Sequence, residues 1–276
     1  MKFKLTVIFL LVLIFGANAQ SVTYDNTSYG DDIRTVILQK AISIYDPLPL
    51  IALGSSEKLR LSFDILSPNN EFFNYTYIHC DRNWQESSLQ QMEYISGKLM
   101  GDIVDFKFST NTYQRFTHYA LNFPEKDMEI TKSGNYILKI YRNFDLEDVV
   151  LTRRFMVLDR HTSISTNIRS ATDPEYRFTH QEVDFSVNYE GFTIPNPFLD
   201  VNVTVLQNNS WNNAIYNLKP LFVNNNELSF NYEDKNLFPG TNEFRFFDIR
   251  SLRNFSNNVI KKYTDTVQNC VLRPDE

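Results

Sequence analysis

The residues with the most reactive side chains stand together at His79-Cys80-Asp81. Imidazole, thiolate and carboxylate groups all bind zinc, and a cysteine beside a histidine is also the pair used in nucleophilic catalysis. The preceding residues, 74–78, alternate in a way that predicts a strand, so His79 and Asp81 would face one side and Cys80 the other. The three groups cannot bind one ion without a bulge. We therefore expect Cys80 to pack in a core, with no metal and no cofactor bound here.

The rest of the sequence offers little catalytic chemistry. It contains no Gly-x-Ser-x-Gly elbow, no His-Glu-x-x-His motif and no phosphate-binding glycine loop. Its two cysteines, Cys80 and Cys270, are too few for a four-cysteine zinc site. A disulfide between them would require an oxidising compartment and a contact between domains. We expect a protein that is not an enzyme and has no small-molecule substrate.

Several side chains are better suited to binding another protein, because they combine aromatic, charged and amide groups in predicted loops or at strand ends. These candidate partner-binding residues are Arg82, Trp84, Asn208, Trp211, Glu243 and Arg245. Each has a purely structural alternative. Trp84 and Trp211 would cover the core of a sandwich, and Glu243 and Arg245 would form a cross-strand ion pair contributing ~0.2–1 kcal/mol.

Composition and charge restrict the class of protein. The chain has 276 residues, of which 42% are hydrophobic and 14% aromatic, so it can bury a core and is not globally disordered. Its net charge is −6, whereas a nucleic-acid-binding protein needs a basic surface. We therefore expect no nucleic-acid partner.

The N-terminus has the pattern of a secretory signal peptide over residues 1–19. Lys2 and Lys4 precede an apolar run from Leu5 to Phe15, and Ala17-Asn18-Ala19 fits a cleavage site. The run is too short to cross a bilayer, which takes roughly 20 residues. The alternative is an N-terminal anchor or a buried helix. We expect an exported protein with no membrane insertion of its own.

Alternating apolar and polar residues predict strands through most of the chain, separated by turns rich in Pro, Gly, Asn and Ser. One stretch, 86–99, has helical spacing. The predicted fold class is all-β, with two tandem antiparallel immunoglobulin-like β-sandwiches after the signal peptide. The predicted domains are residues 20–158 and residues 159–276, and we expect the second to be truncated at its C-terminal side. The clearest alternating segments are 58–64, 74–78, 105–109, 136–141, 182–187, 200–205, 228–232 and 243–246.

An ordered series of short motifs resembles the type 9 secretion system plug protein family. The series begins with the segment 77–81, continues with individual residues between 84 and 97, and ends with the segment 242–248. The individual residues of the first part are Tyr77, Ile78, His79, Cys80, Asp81, Trp84, Ser87, Leu89, Tyr94 and Gly97. Later motifs are Thr117-His118-Tyr119, Phe123-Pro124, Ser133-Gly134-Asn135-Tyr136, His180-Gln181-Glu182-Val183 and Asn242-Glu243-Phe244-Arg245. The resemblance spans most of the chain beyond the signal peptide.

The resemblance implies a non-enzymatic periplasmic protein of a Bacteroidota-type cell. Members of the family associate with the large outer-membrane β-barrel translocon of the system. They close its periplasmic opening while no substrate passes. The expected partner is therefore that barrel, and the expected location is the periplasm, next to the outer membrane.

Two other classes remain open on composition. A secreted carbohydrate-binding β-sandwich module would use exposed aromatic and Asn side chains to stack on sugars. An adhesin or pilus-type protein would present an open edge strand to a donor strand. The first predicts retention on polysaccharide, and the plug interpretation predicts co-purification with a large barrel.

Overall fold

The computed structural model describes residues 22–42, 48–240, 247–251, 253 and 257–274. The predicted signal peptide and the predicted strand at 243–246 lie outside these residues. The described chain divides after Arg160 into two compact units. The regular secondary structure of both consists of strands apart from one helical turn in each, which confirms the all-β class.

The first unit contains twelve strands and a one-turn helix. In chain order they are β1 (Thr27–Ser28), β2 (Ile33–Lys40), β3 (Leu50–Ala52), β4 (Leu59–Ile65), β5 (Phe73–Cys80), α1 (Gln91–Tyr94), β6 (Ile95–Gly97), β7 (Gly101–Ile103), β8 (Asp105–Phe108), β9 (Thr117–Phe123), β10 (Met128–Ile130), β11 (Gly134–Arg142) and β12 (Val149–Leu158).

Two main sheets form this unit. The first has the order β1-β12-β11-β5-β7, and the second has the order β2-β4-β9-β8. Pairing is antiparallel in both, except that β3 joins β12 in parallel. Strand β4 has buried and half-buried residues in strict alternation, as its sequence predicts. Residues of both sheets belong to one hydrophobic core, so the two sheets pack face to face.

Aromatic rings fill the space between these sheets. Tyr77 of the first sheet contacts Phe123 of the second, and Phe155 lies against both, with ring centroids 5.2–5.7 Å apart. Such ring pairs add about 0.5–1.5 kcal/mol each beyond the area that they bury. The high aromatic content of the sequence is therefore largely used inside the sandwich.

The helix predicted at 86–99 is wrong apart from the single turn of α1. The chain continues directly into β6, where Ile95 pairs with Ile130 of β10. Gly97 has φ +95°, and a Cβ there would collide with the Asp127 carbonyl. Pairing with a distant strand has overridden the local helical spacing.

The second unit contains strands β13 to β21 and another one-turn helix. They are β13 (Ser163–Ser170), β14 (His180–Asn188), α2 (Pro197–Asp200), β15 (Val203–Gln207), β16 (Ser210–Leu218), β17 (Phe222–Asn224), β18 (Glu227–Phe230), β19 (Leu237–Pro239), β20 (Val259–Thr264) and β21 (Gln268–Leu272). The largest sheet has the order β13-β14-β18-β17, with β19 paired to β14. Hairpin β15-β16 covers its core, which centres on Phe185 and Phe230, stacked at 4.6 Å.

Charged side chains are buried on one sheet of the second unit. Glu182 is fully buried and Asp184 nearly so, and both lie on β14. Arg169 of the neighbouring β13 reaches both carboxylates, at 2.7 Å and 2.9 Å. Hydrogen bonds from Thr172, together with the Arg169 guanidinium, hold the pKa of Glu182 below its usual range despite burial. Burial raises the pKa of Asp184. Arg169, on the edge strand β13, thus compensates the negative charges of two buried carboxylates.

Candidate protein-docking site

The loop after β5 folds back on itself around Asp81. The Asp81 carboxylate accepts hydrogen bonds from the backbone N–H groups of Asn83 and Gln85, at 2.8 Å and 2.9 Å. The Trp84 N–H donates to the Asp81 carbonyl, and Trp84 has φ +61°. An aspartate that accepts from following N–H groups is a common way to close a tight turn. The turn directs the Trp84 ring back toward the sheet.

Trp84 is therefore interior, with only 2% of its surface exposed. Its ring stacks on the Arg154 guanidinium of β12, 4.6 Å from the ring centroid. Arg154 also donates to the Tyr24 carbonyl, and Asn26 accepts from the Arg154 N–H. The N-terminal segment and Trp84 together cover the outer face of the first sheet.

This placement corrects the interpretation of Trp84 as an exposed recognition residue. Its indole ring cannot contact a partner without opening the loop. The structural alternative holds in a modified form, since Trp84 packs on the outer face of the sheet and not in the core between the sheets. Arg82, in contrast, is exposed and stays a candidate contact residue.

Asn208 and Trp211 lie at and beside the tip of hairpin β15-β16. Asn208 and Asn209 form its two-residue turn, with φ +55° and +58°, a left-handed backbone conformation that Asn tolerates well. Asn208 is exposed, and Trp211 is half-buried and stacked on Tyr216 at 6.4 Å. The hairpin presents amide and aromatic groups together.

The structure leaves the six sequence candidates in separate groups. Arg82 and Trp84 belong to the first unit, and Asn208 and Trp211 to the second. Glu243 and Arg245 lie outside the described residues.

The His79-Cys80-Asp81 segment has a structural explanation for each side chain. His79 Nδ1 hydrogen-bonds the Ser87 hydroxyl at 2.8 Å, and its ring lies edge-on to Tyr136 at 5.0 Å. Cys80 is buried on the opposite side, and Asp81 closes the turn. Within the described residues, no three His, Cys, Asp or Glu side chains converge as metal ligands would.

Burial also determines thiol reactivity. It raises the pKa of Cys80 to about 12, with Glu86 and Asp81 adding to the effect, whereas Cys270 is half-buried; both thiols are free. The thiolate is the reactive form, so we expect iodoacetamide to modify Cys270 and spare Cys80 in the native protein. Peptide mass spectrometry should find both cysteines modified after unfolding in urea. Rapid native modification of Cys80 would contradict its buried position.

A surface that sequence reasoning missed lies at the edge strand β7. Four apolar side chains with substantial exposure surround a 410 Å³ pocket or pack beside it, and we name them the Phe144 patch: Phe72, Met100, Val104 and Phe144. Phe144 is 59% exposed and Val104 79%. The feature of the sequence that could have indicated this surface is Phe144, an aromatic residue in a turn rich in Asn, Asp and Glu.

Comparisons with known proteins agree with this architecture. Residues 33–159 match the family model of the type 9 secretion system plug protein first domain. The structure is similar to the crystal structure of a hypothetical protein from Parabacteroides merdae, with a TM-score of 0.81 and 28% identity. The match covers 91% of this chain and 64% of that protein, so the chain spans less than two thirds of its length. A comparison with curated proteins gives no match.

The family match confirms the resemblance over residues 33–159 and gives the motifs of this part a structural meaning. The Tyr94 hydroxyl donates to the Tyr77 carbonyl, Ser87 holds His79, and Trp84 covers the sheet. These motif residues build the scaffold of the first unit. The described residues include no helix that is both long and apolar enough to cross a membrane.

Proposed function

We propose, on the premise that residues 33–159 carry the first domain of the type 9 secretion system plug proteins, that this protein is a non-enzymatic periplasmic plug. It would bind the outer-membrane translocon barrel of the system and close its periplasmic opening while no substrate passes. The family is a component of secretion machinery and suggests a location in the periplasm or at the outer membrane. The match over this domain is the observation that carries the proposal.

A plug must resist being pulled through the pore that it blocks. The first unit supports this requirement, because its core is continuous between two sheets and rich in fully buried rings such as Phe63, Phe123 and Phe155. Close-packed interiors of this kind have few voids and deform little. The unit would move as a body when it docks and leaves.

A plug must also release, so its interface should be moderate in area and partly polar. Exposed Arg82 and Asn208, and half-buried Trp211, offer contacts of this kind. Glu243 and Arg245 remain candidates from the sequence alone. We propose these residues as contacts with the partner, each on its own unit.

Affinity purification tests the binding part of the proposal. The full-length protein would be tagged and expressed in its native cell, and detergent-solubilised membranes would be analysed by mass spectrometry. We expect strong enrichment of one very large outer-membrane barrel over the same cells carrying untagged protein. Recovery of no barrel, with retention of the protein on polysaccharide beads, would contradict the proposal and favour a carbohydrate-binding module.

Permeability tests the sealing part. Cells lacking the protein should take up a hydrophilic dye that is too large for ordinary porins, and the intact gene should restore the barrier. Enrichment of the barrel without any change in uptake would make the protein a translocon subunit that does not seal it.

A further inference from the structure

The turn between β11 and β12 displays Phe144 in an unfavourable backbone conformation. Asn143 and Phe144 both have positive φ, +50° and +62°. Asn tolerates the left-handed region, but a bulky residue such as Phe is rarely found there. An Asn or Gly at position 144 would fit the turn better. The backbone conformation of the turn therefore gives no reason for a phenylalanine at this position.

Partly buried hydrogen bonds hold the backbone of this turn in place. The Phe144 N–H donates to Oδ1 of Asn74 at 2.8 Å, and Asn74 Nδ2 donates to the Asp102 carboxylate at 2.7 Å. Asn74 is fully buried on β5, so one side chain links the turn to the edge strand β7. The Asn143 N–H donates to the Phe72 carbonyl at 3.2 Å. Phe144 is thus fixed in place before any partner arrives, which reduces the entropic cost of binding.

The surroundings of Phe144 form a surface of defined chemistry. Its ring packs on Phe72 at 5.2 Å and borders the pocket of 410 Å³ with Met100 and Val104. The floor of the pocket is Tyr75, and β7 crosses that ring so closely that a Cβ on Gly101 would collide with it.

The rim of the pocket is acidic. Asp102, Glu125 and Asp127 line it together with Lys98, whose ammonium group is paired with Asp127. Exposed apolar side chains with a polar rim are typical of a protein-binding surface, and the excess of carboxylates over the single lysine makes this rim negative. The charge complement of this rim is a basic segment.

We infer that the Phe144 patch is the main docking surface for the translocon. The partner segment would place an aliphatic or aromatic side chain against Phe144 and Val104, and Lys or Arg side chains against the acidic rim. The inference rests on the proposed function and adds to it the surface and the chemistry of the contact.

The test compares variants in the same membrane purification. Phe144→Ala and Phe144→Asn should each reduce the recovered barrel about tenfold, the size expected for an interface anchor. Phe108→Ala is the matched control, since Phe108 is similarly exposed at 52% on β8 and does not line the pocket. We expect it to recover as much barrel as the wild type.

Thermal unfolding separates docking from folding. The melting temperature of Phe144→Asn should equal or exceed that of the wild type, because Asn suits the left-handed backbone. Lost recovery together with a melting temperature that falls by several degrees would assign Phe144 a structural role and overturn the inference.

The acidic rim has its own matched pair of variants. Glu125→Lys, in the pocket, should reduce recovery severalfold, whereas Glu129→Lys, a few residues away and outside it, should not. Recovery by the wild type should fall as salt is raised. Equal effects of the two substitutions would contradict a basic partner segment.

The outcomes also separate this inference from the proposed function. Barrel recovery that is normal in the wild type and in all Phe144 variants would overturn the docking surface and leave the plug proposal standing. Absence of the barrel from the wild-type purification would overturn both.

Discussion

Replacing Trp84 with alanine is expected to destabilise the first unit by about 3–5 kcal/mol, as large-to-small substitutions of buried aromatic residues do. The ring is 2% exposed and stacks on Arg154, whose guanidinium is also bonded to the N-terminal segment. Removing the indole leaves a cavity on the outer face of the sheet, and the Arg154 guanidinium loses the ring on which it stacks. Urea unfolding followed by circular dichroism would measure the loss.

Trp211→Ala is the matched control for this substitution. Trp211 is half-buried on a hairpin of the second unit, so its loss should cost much less, about 1 kcal/mol. The two tryptophans lie in different units, so in each variant the remaining tryptophan fluorescence follows the unsubstituted unit. Its transition can then be separated from that of the substituted unit in the circular dichroism signal. A Trp84→Ala variant as stable as the wild type would mean that the ring is not packed, and would restore the exposed-loop interpretation.

The second large effect is expected from Arg169→Met in the other unit. The substitution leaves Glu182 and Asp184 buried side by side without their shared cation. Removing one partner of a buried ion pair is strongly destabilising, and the effect is moderated here because the Arg169 side chain is 46% exposed. Urea unfolding at pH 7, followed by Trp211 fluorescence, would measure it.

The pH dependence of this effect has a definite sign. In the wild type the pKa of Glu182 is lowered, so its contribution to stability is present above the unfolded-state pKa and lost as the pH falls. The variant keeps the hydrogen bonds from Thr172 but lacks, at every pH, the part of that contribution that Arg169 supplies. The stability difference between the two proteins should therefore shrink from pH 7 toward pH 4. A difference that grows in acid would contradict the network.

Arg250→Met is the matched surface control. Arg250 pairs with Asp248 at 2.6 Å and lowers the pKa of that carboxyl to about 2, but its side chain is 91% exposed. Solvent screens such pairs, so they contribute little to stability. Despite the short distance and the large pKa shift, Arg250→Met should therefore change the free energy of unfolding very little.

Local sequence was sufficient for most of the strands. Residues 58–64 were predicted from alternation alone, and β4 occupies Leu59–Ile65 with every second side chain buried. Alternation is a local property, because successive side chains of any strand point to opposite sides. The family resemblance was equally local, since it rested on residues such as Asp81 and Gly97 that the turns and close approaches of this fold require.

The site could be predicted only in part. Exposed Arg82 and Asn208 are where loop composition placed them, but the packing of Trp84 was not accessible from the loop sequence. Aromatic side chains in polar loops occur both as contact residues and as covers of a sheet. The choice between these roles depends on what lies opposite.

By itself the sequence determined an all-β chain, the family that its first part resembles and the lack of familiar catalytic motifs, because strand alternation and short motifs depend only on neighbouring residues. Only the tertiary structure decided which faces are covered. The outer face of the first sheet is covered partly by the N-terminal segment, where Asp25 accepts from Thr152, 127 positions away. Pairing of β6 with β10 limits the helix predicted at 86–99 to the single turn of α1. Tertiary packing also leaves Phe144 exposed beside the edge strand β7. Burial depends on contacts between distant segments, and no local pattern encodes them.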